Sequence, residues 1–153
     1  SRAGGTFSPI GKVAANVTTY INSNLTPHTT YYYKVSAYNN GGESKFTGPV
    51  SATTLDGPPS APSSLVAKPV SSTQIKLGWT DNSTNEVVFR IYRGLADGTF
   101  SPIGKVPANV TTYTDLNLTP NTTYTYKVSA YNDGGESALV GPVKATTLQI
   151  PSY

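Results

Sequence analysis

The chain has 153 residues, a net charge of +3, 12% charged and 37% hydrophobic residues, 14 Gly, 12 Pro, 11 Tyr and no Cys. A length of this order suits one domain or two small ones, and the low charge with abundant Tyr, Val, Ile and Thr excludes disorder, while the missing thiols exclude disulfides and thiolate catalysis. No apolar run approaches the ~18–20 residues of a membrane helix, no Lys/Arg stripe suggests nucleic acid, and Ser1–Gly5 lacks the features of a secretory leader.

In chain order the first feature is a repeat. Gly5–Val13 reads Gly-Thr-Phe-Ser-Pro-Ile-Gly-Lys-Val and returns letter for letter as Gly98–Val106, an offset of 93 residues. Thr18–Tyr20 returns as Thr111–Tyr113, Tyr33–Tyr38 as Tyr126–Tyr131 and Ala52–Leu55 as Ala145–Leu148, so that residues 5–55 and 98–148 agree at 40 of 51 positions. This is a duplication, and any fold assigned to the chain must accommodate it. The stretch Asp56–Pro62 carries prolines that deny donors to a β-ladder and stiffen a joint between the two units.

Residues 58–97 have no counterpart in the first unit. Within them Thr73–Thr80 alternates, with Ile75, Leu77 and Trp79 inward; Val87–Arg93 follows with Phe89 and Ile91 inward, and Arg90 and Tyr92 outward. Thr123–Tyr131 puts Tyr124, Tyr126, Val128 and Ala130 on one face and Thr125, Lys127, Ser129 and Tyr131 on the other; Gly141–Leu148 gives Val143 and Ala145 inward. Period-2 alternation in runs rich in Thr, Tyr, Val and Ile predicts half-buried strands, and no stretch has helical periodicity. Between the runs lie Asp81–Asn85, Ala96–Gly98 and Asn132–Gly135, whose Gly and Asx residues suit reversals. About seven strands in ~90 residues, with turns every 8–12, predict an all-β antiparallel sandwich.

Pro62-Ser63-Ser64-Leu65, Leu77-Gly78-Trp79-Thr80, Phe89-Arg90-Ile91-Tyr92-Arg93, Leu118-Thr119-Pro120-Asn121-Thr122-Thr123-Tyr124 and Val128-Ser129-Ala130 together resemble the fibronectin type III domain, particularly the form common in bacterial extracellular proteins. The resemblance implies an immunoglobulin-like sandwich of two sheets, one holding the first, second and fifth strands and the other the third, fourth, sixth and seventh. It covers 58–148 fully and 5–55 as the last four strands only. The expected organisation is a truncated repeat over 1–55, a Pro-rich linker over 56–62, a complete domain over 63–148 and a tail over 149–153. The expected core is Trp79, Phe89, Ile91, Leu118, Pro120, Tyr124 and Val128, with Leu25, Pro27 and Tyr31 as first-unit counterparts. Tyr124 and Tyr31 resemble the tyrosine corner, whose phenol binds upstream backbone.

Little in the sequence carries chemistry. His28 is the single histidine and its repeat partner is Asn121, which is not how an essential base behaves in a near-copy. The carboxylates Asp81, Glu86, Asp97, Asp115, Asp133 and Glu136 fall mostly in predicted turns, where such groups cap their own backbone. Asp81–Glu86 offers oxygens to calcium, but the spacing is not that of an EF-hand. The reading is therefore no catalytic residue, no cofactor and no metal. Asn16, Asn24, Asn82, Asn109, Asn117 and Asn121 stand in Asn-x-Ser/Thr sequons. Tyr32, Tyr38, Tyr92 and Tyr131 should point outward on neighbouring strands of one sheet. There they would serve a protein or polysaccharide partner, or stabilise the sheet as cross-strand pairs.

The first unit poses an energetic problem. Without three strands it forfeits roughly half a core, on the order of 10 kcal/mol at ~25 cal/mol per Å2, against the ~5–15 kcal/mol that holds a domain together. Residues 1–55 are expected not to fold unaided. Three sources of completion are open: preceding strands of a longer parent, residues 58–97 folding back as a permutant, or strands donated by another copy. The resemblance implies a non-catalytic spacer or adhesion module from a tandem array in a secreted or cell-surface protein. Its alternatives are a filament subunit joined by exchanged strands and a weak carbohydrate binder. Its partners would be neighbouring domains or another copy of the chain.

Overall fold

The computed structural model describes residues 1–95 and 97–152, and the chain divides into two compact units, Ser1–Asp56 and Gly57–Tyr153. The predicted turn at Ala96–Gly98 therefore lies partly outside the described residues. Twelve strands are formed and, among the described residues, there is no helix.

The second unit is a two-sheet antiparallel sandwich. β5 (Ser63–Ser71), β6 (Gln74–Thr80) and β9 (Thr112–Asp115) form one sheet in the order β5-β6-β9. β7 (Val88–Gly94), β8 (Phe100–Pro107), β10 (Thr123–Asn132), the two-residue β11 (Gly135–Glu136) and β12 (Val140–Thr146) form the other, with β10 paired to β7, β11 and β12, and β7 also to β8. The division into first, second and fifth strands against third, fourth, sixth and seventh is the expected one.

Alternation explains the core. β6 buries Ile75, Leu77 and Trp79 while Lys76 stays in water; β7 buries Phe89 and Ile91, and β10 buries Tyr126, Val128 and Ala130. The side chains of the two sheets meet between them, where Trp79 and Phe89 lie with ring centroids 5.5 Å apart in a tilted arrangement. The Trp79 indole nitrogen is buried with no hydrogen-bond partner, so its contribution is packing alone.

Asp56–Pro62 is not a free linker. Pro59 and Pro62 are buried, and the Gly57 carbonyl accepts hydrogen bonds from the side-chain amides of Asn132 (2.9 Å) and Asn85 (3.2 Å). The prolines bury apolar rings without leaving donors unpaired, so residues from Gly57 onward belong to the second unit. The boundaries expected at 56–62 are corrected accordingly.

The first unit contains β1 (Thr30–Val35) paired with β4 (Thr47–Thr53), and β2 (Tyr38–Asn39) paired with β3 (Gly42–Glu43). Its β1–β4 register, Thr30↔Thr53 to Val35↔Thr47, repeats that of β10–β12 residue for residue, including the bulge after Tyr33. The fourth and fifth strands expected there are not formed: residues 7–14 and 19–22 lie outside any strand, although their copies are β8 and β9. The reason is partnership, since β8 pairs only with β7 and β9 only with β6, and neither has a first-unit copy. Among the described residues of the first unit none is buried. Residues 58–97 supply β5, β6 and β7 to the second unit, which removes the permutant arrangement.

Candidate functional site

The outer face of the larger second-unit sheet is built by β7 and β10. Register places Tyr92 opposite Lys127, Arg90 opposite Ser129 and Val88 opposite Tyr131. Tyr92 and Tyr131 therefore do not stack on each other; they flank the Arg90–Ser129 pair. The Arg90 guanidinium carbon stands 3.7 Å from the Tyr131 ring centroid, within cation–π range. Glu136, brought in by β11, accepts hydrogen bonds from the Tyr92 and Ser129 hydroxyls, and its second oxygen is 3.6 Å from Arg90.

These contacts set the local electrostatics. Burial works to raise the Glu136 carboxyl, but the hydroxyls of Ser129 and Tyr92 and the Arg90 charge outweigh it and hold it below its ordinary value. Burial, followed by the neighbouring Glu136, pushes the Tyr92 phenol up. On the same face the Lys127 ammonium sits 4.3 Å from the Phe100 ring centroid. Tyr92 and Tyr131 are both half-buried, their polar tip or ring face already engaged. Sequence alternation indicated the outward direction. It gave no sign of Glu136 and Arg90, whose roles depend on strand register.

Tyr32 and Tyr38 are elsewhere. Tyr32 lies on β1, half-buried, and Tyr38 on β2 is 68% exposed. The expectation of four tyrosines on neighbouring strands of one sheet is corrected to two, Tyr92 and Tyr131, because β1 and β2 belong to separate ladders of the other unit.

Of the expected core, Trp79, Phe89, Ile91, Leu118 and Val128 are buried, and Pro120 and Tyr124 are half-buried. In the first unit Leu25 and Tyr31 are half-buried and Pro27 is exposed, so Pro27 is not a core residue; the sheet that would cover it is missing. Both corners have the same geometry, Tyr124 and Tyr31 each accepting the N–H of the residue five positions earlier, Thr119 or Thr26, at 3.0 Å. Sequence reading missed a buried polar group. Asp115 accepts the Tyr126 hydroxyl (2.8 Å) and the Arg93 guanidinium (2.9 Å). Burial, then the Asp115 carboxylate, drives the Tyr126 phenol far above its ordinary value. In the first unit Asn22 takes the place of Asp115 and donates to the Tyr33 hydroxyl at 3.1 Å.

The remaining polar candidates serve local structure. His28 is exposed, with Nδ1 2.6 Å from Asp56. Asp81 accepts from the Ser83 backbone at 3.0 Å, closing an Asx turn, and Glu86 accepts from the Ser83 hydroxyl and the Asn109 N–H. Among the described residues no group of three or more His, Asp or Glu could hold a metal ion. All six sequon asparagines are exposed, and Asn16, Asn24, Asn109, Asn117 and Asn121 have positive φ. Asn tolerates that conformation in turns better than most residues.

With this geometry in place, comparison with known proteins is direct. The fibronectin type III domain model matches residues 2–53 and 60–146. The chain is 34% identical over 141 residues to endoglucanase B of Cellulomonas fimi, covering 85% of this chain and 13% of that protein. It is 31% identical over 130 residues to tyrosine-protein phosphatase Lar of Drosophila melanogaster, covering 83% and 6%. Human contactin-6 is 30% identical over 154 residues, covering 93% and 15%. The chain thus spans a small part of the length of each of these relatives. Among solved structures, the FN1-FN3 domains of chicken CNTN1 share the fold, with a TM-score of 0.61 at 24% identity over 85% of this chain and 46% of that one. The complete sandwich, the duplicated corner and the two matched segments agree: this chain belongs to the fibronectin type III family.

Proposed function

We propose that the chain is a non-catalytic module of a secreted or cell-surface protein, holding neighbouring domains apart and presenting loops and sheet faces to them. One observation carries this reading. The same sequence matches part of a phosphatase and part of an endoglucanase while spanning 6% and 13% of their lengths. A single stretch cannot be the seat of both chemistries, so the shared part is a unit carried beside them, and function has to be argued from its own site. The outer aromatic face supports a structural role, since Arg90 covers a face of Tyr131 and Glu136 holds the Tyr92 hydroxyl. A sugar-stacking platform needs open ring faces.

Two measurements test this. In force spectroscopy the second unit should rupture as a single event that releases about 300 Å of chain, as expected for about 90 residues. On an insoluble polysaccharide column the chain should elute unretained. Retention abolished by Tyr92→Ala plus Tyr131→Ala would replace the spacer reading with a carbohydrate-binding one.

A further inference from the structure

The six residues Tyr33–Tyr38 and Tyr126–Tyr131 are identical, Tyr-Lys-Val-Ser-Ala-Tyr, yet they meet different neighbours. In the second unit one edge of this segment is paired antiparallel with β7, from Tyr126↔Arg93 to Tyr131↔Val88. The side chains beneath are then sealed: Tyr126, Val128 and Ala130 have no exposure. In the first unit the other edge is paired with β4 in the same register, but no strand runs along the edge that corresponds to β7. Val35 is 64% exposed where Val128 is fully buried, and Val50 is 65% exposed where Val143 is half-buried.

The start of this edge is already in use. Ser1 exchanges two backbone hydrogen bonds with Tyr32, at 2.7 and 2.8 Å, and Arg2 bridges antiparallel to Tyr31. By the 93-residue offset, Ser1 and Arg2 correspond to Gly94 and Leu95, the end of β7 and the residue after it. An antiparallel strand lying against Lys34–Tyr38 would continue that ladder in the β7 register.

We infer that the Tyr33–Tyr38 edge, with the apolar face beneath it, is a docking site for a β5–β6–β7-type segment: the unpaired opening strands of a fibronectin type III repeat. Its third strand would add antiparallel to β1, placing residues like Phe89 and Ile91 over Val35. Backbone pairing would supply affinity and the alternating side chains the specificity. A second copy of this chain is the wrong occupant. Each chain has two such edges and one β5–β7 segment, so donation covers one edge only by stripping another.

The test adds a synthetic polypeptide of residues 58–95 to the full chain, followed by calorimetry and by NMR hydrogen exchange with the two repeats assigned separately. The expected result is saturation at one peptide per chain. Exchange at Lys34–Tyr38 should slow about 100-fold while Lys127–Tyr131 stays unchanged. Val35→Asp should weaken binding by about 100-fold, because a carboxylate would be buried without a partner, yet leave the thermal transition of the second unit in place. A peptide carrying Phe89→Asp and Ile91→Asp should not bind. Absence of saturation, or saturation without slowed exchange at Lys34–Tyr38, overturns the site. Protection of that edge in the chain alone, rising with concentration, overturns the occupant in favour of a second copy.

Discussion

Val128 and Val35 occupy the same position in two copies of one hexapeptide, so burial is the only variable between them. Val128 is fully enclosed and Val35 is not. Val128→Ala should cost about 2 kcal/mol, two methyl groups plus part of a cavity, whereas Val35→Ala should stay within about 0.5 kcal/mol. Trp79, the only tryptophan, sits in the second core and reports that unit in urea titrations. A second prediction concerns the carboxylates. Burial opposes ionisation of Glu86 and Glu136, but hydrogen bonds from Ser83 and Asn109 to the first, and from Ser129 and Tyr92 with the Arg90 charge to the second, lower both below the ordinary 4.5. A depressed carboxyl lends stability above its unfolded pKa and loses it as pH falls through the folded one. The second unit should therefore hold steady near neutrality and weaken below about pH 4.5. Glu86→Gln with Glu136→Gln should lower its stability at pH 7 and flatten that acid slope, as chemical denaturation at a series of pH values would reveal.

At the scale of elements the duplicated nonapeptide is the clearest lesson. Phe7–Val13 and Phe100–Val106 are identical, yet the second is in β8 and the first is in no strand. Alternation in β6, β7 and β10 made the inward sets legible, because a strand with one buried face writes that face at every second residue. What could not be read locally was pairing: propensity is satisfied only when a neighbour takes the backbone groups. The same limit hid the Arg90–Glu136–Tyr92 cluster and the Asp115 network, which join residues far apart in the chain. The missing 93-residue copies of β5–β7 were legible as an absence, and their absence accounts for the unformed strands. Placing residues 57–94 ahead of Ser1 should restore them. The extended chain should show a second cooperative urea transition with an m value comparable to the first, since m follows the area exposed on unfolding. A single unchanged transition would mean that the eleven differing positions, rather than the missing partners, keep the first unit open.

For the whole molecule, the account reduces to one sandwich that is sealed and one half that is not. The second unit has its own core and a satisfied polar frame, including the Asn132 side chain that fastens Gly57 and Asn85. The first unit keeps the local geometry of the family, with its corner at Tyr31 and its β1–β4 register, but among its described residues buries none. Local geometry is thus encoded in the shared sequence, and global stability by the strands that only one copy possesses. Hydrogen exchange followed residue by residue by NMR, with the two repeats resolved as separate signals, tests this most directly. The account predicts that amides of Phe100–Val106 exchange at least about a thousand-fold more slowly than those of Phe7–Val13, as a cooperatively stable domain requires. Equal protection of the two identical segments in the isolated chain would contradict it.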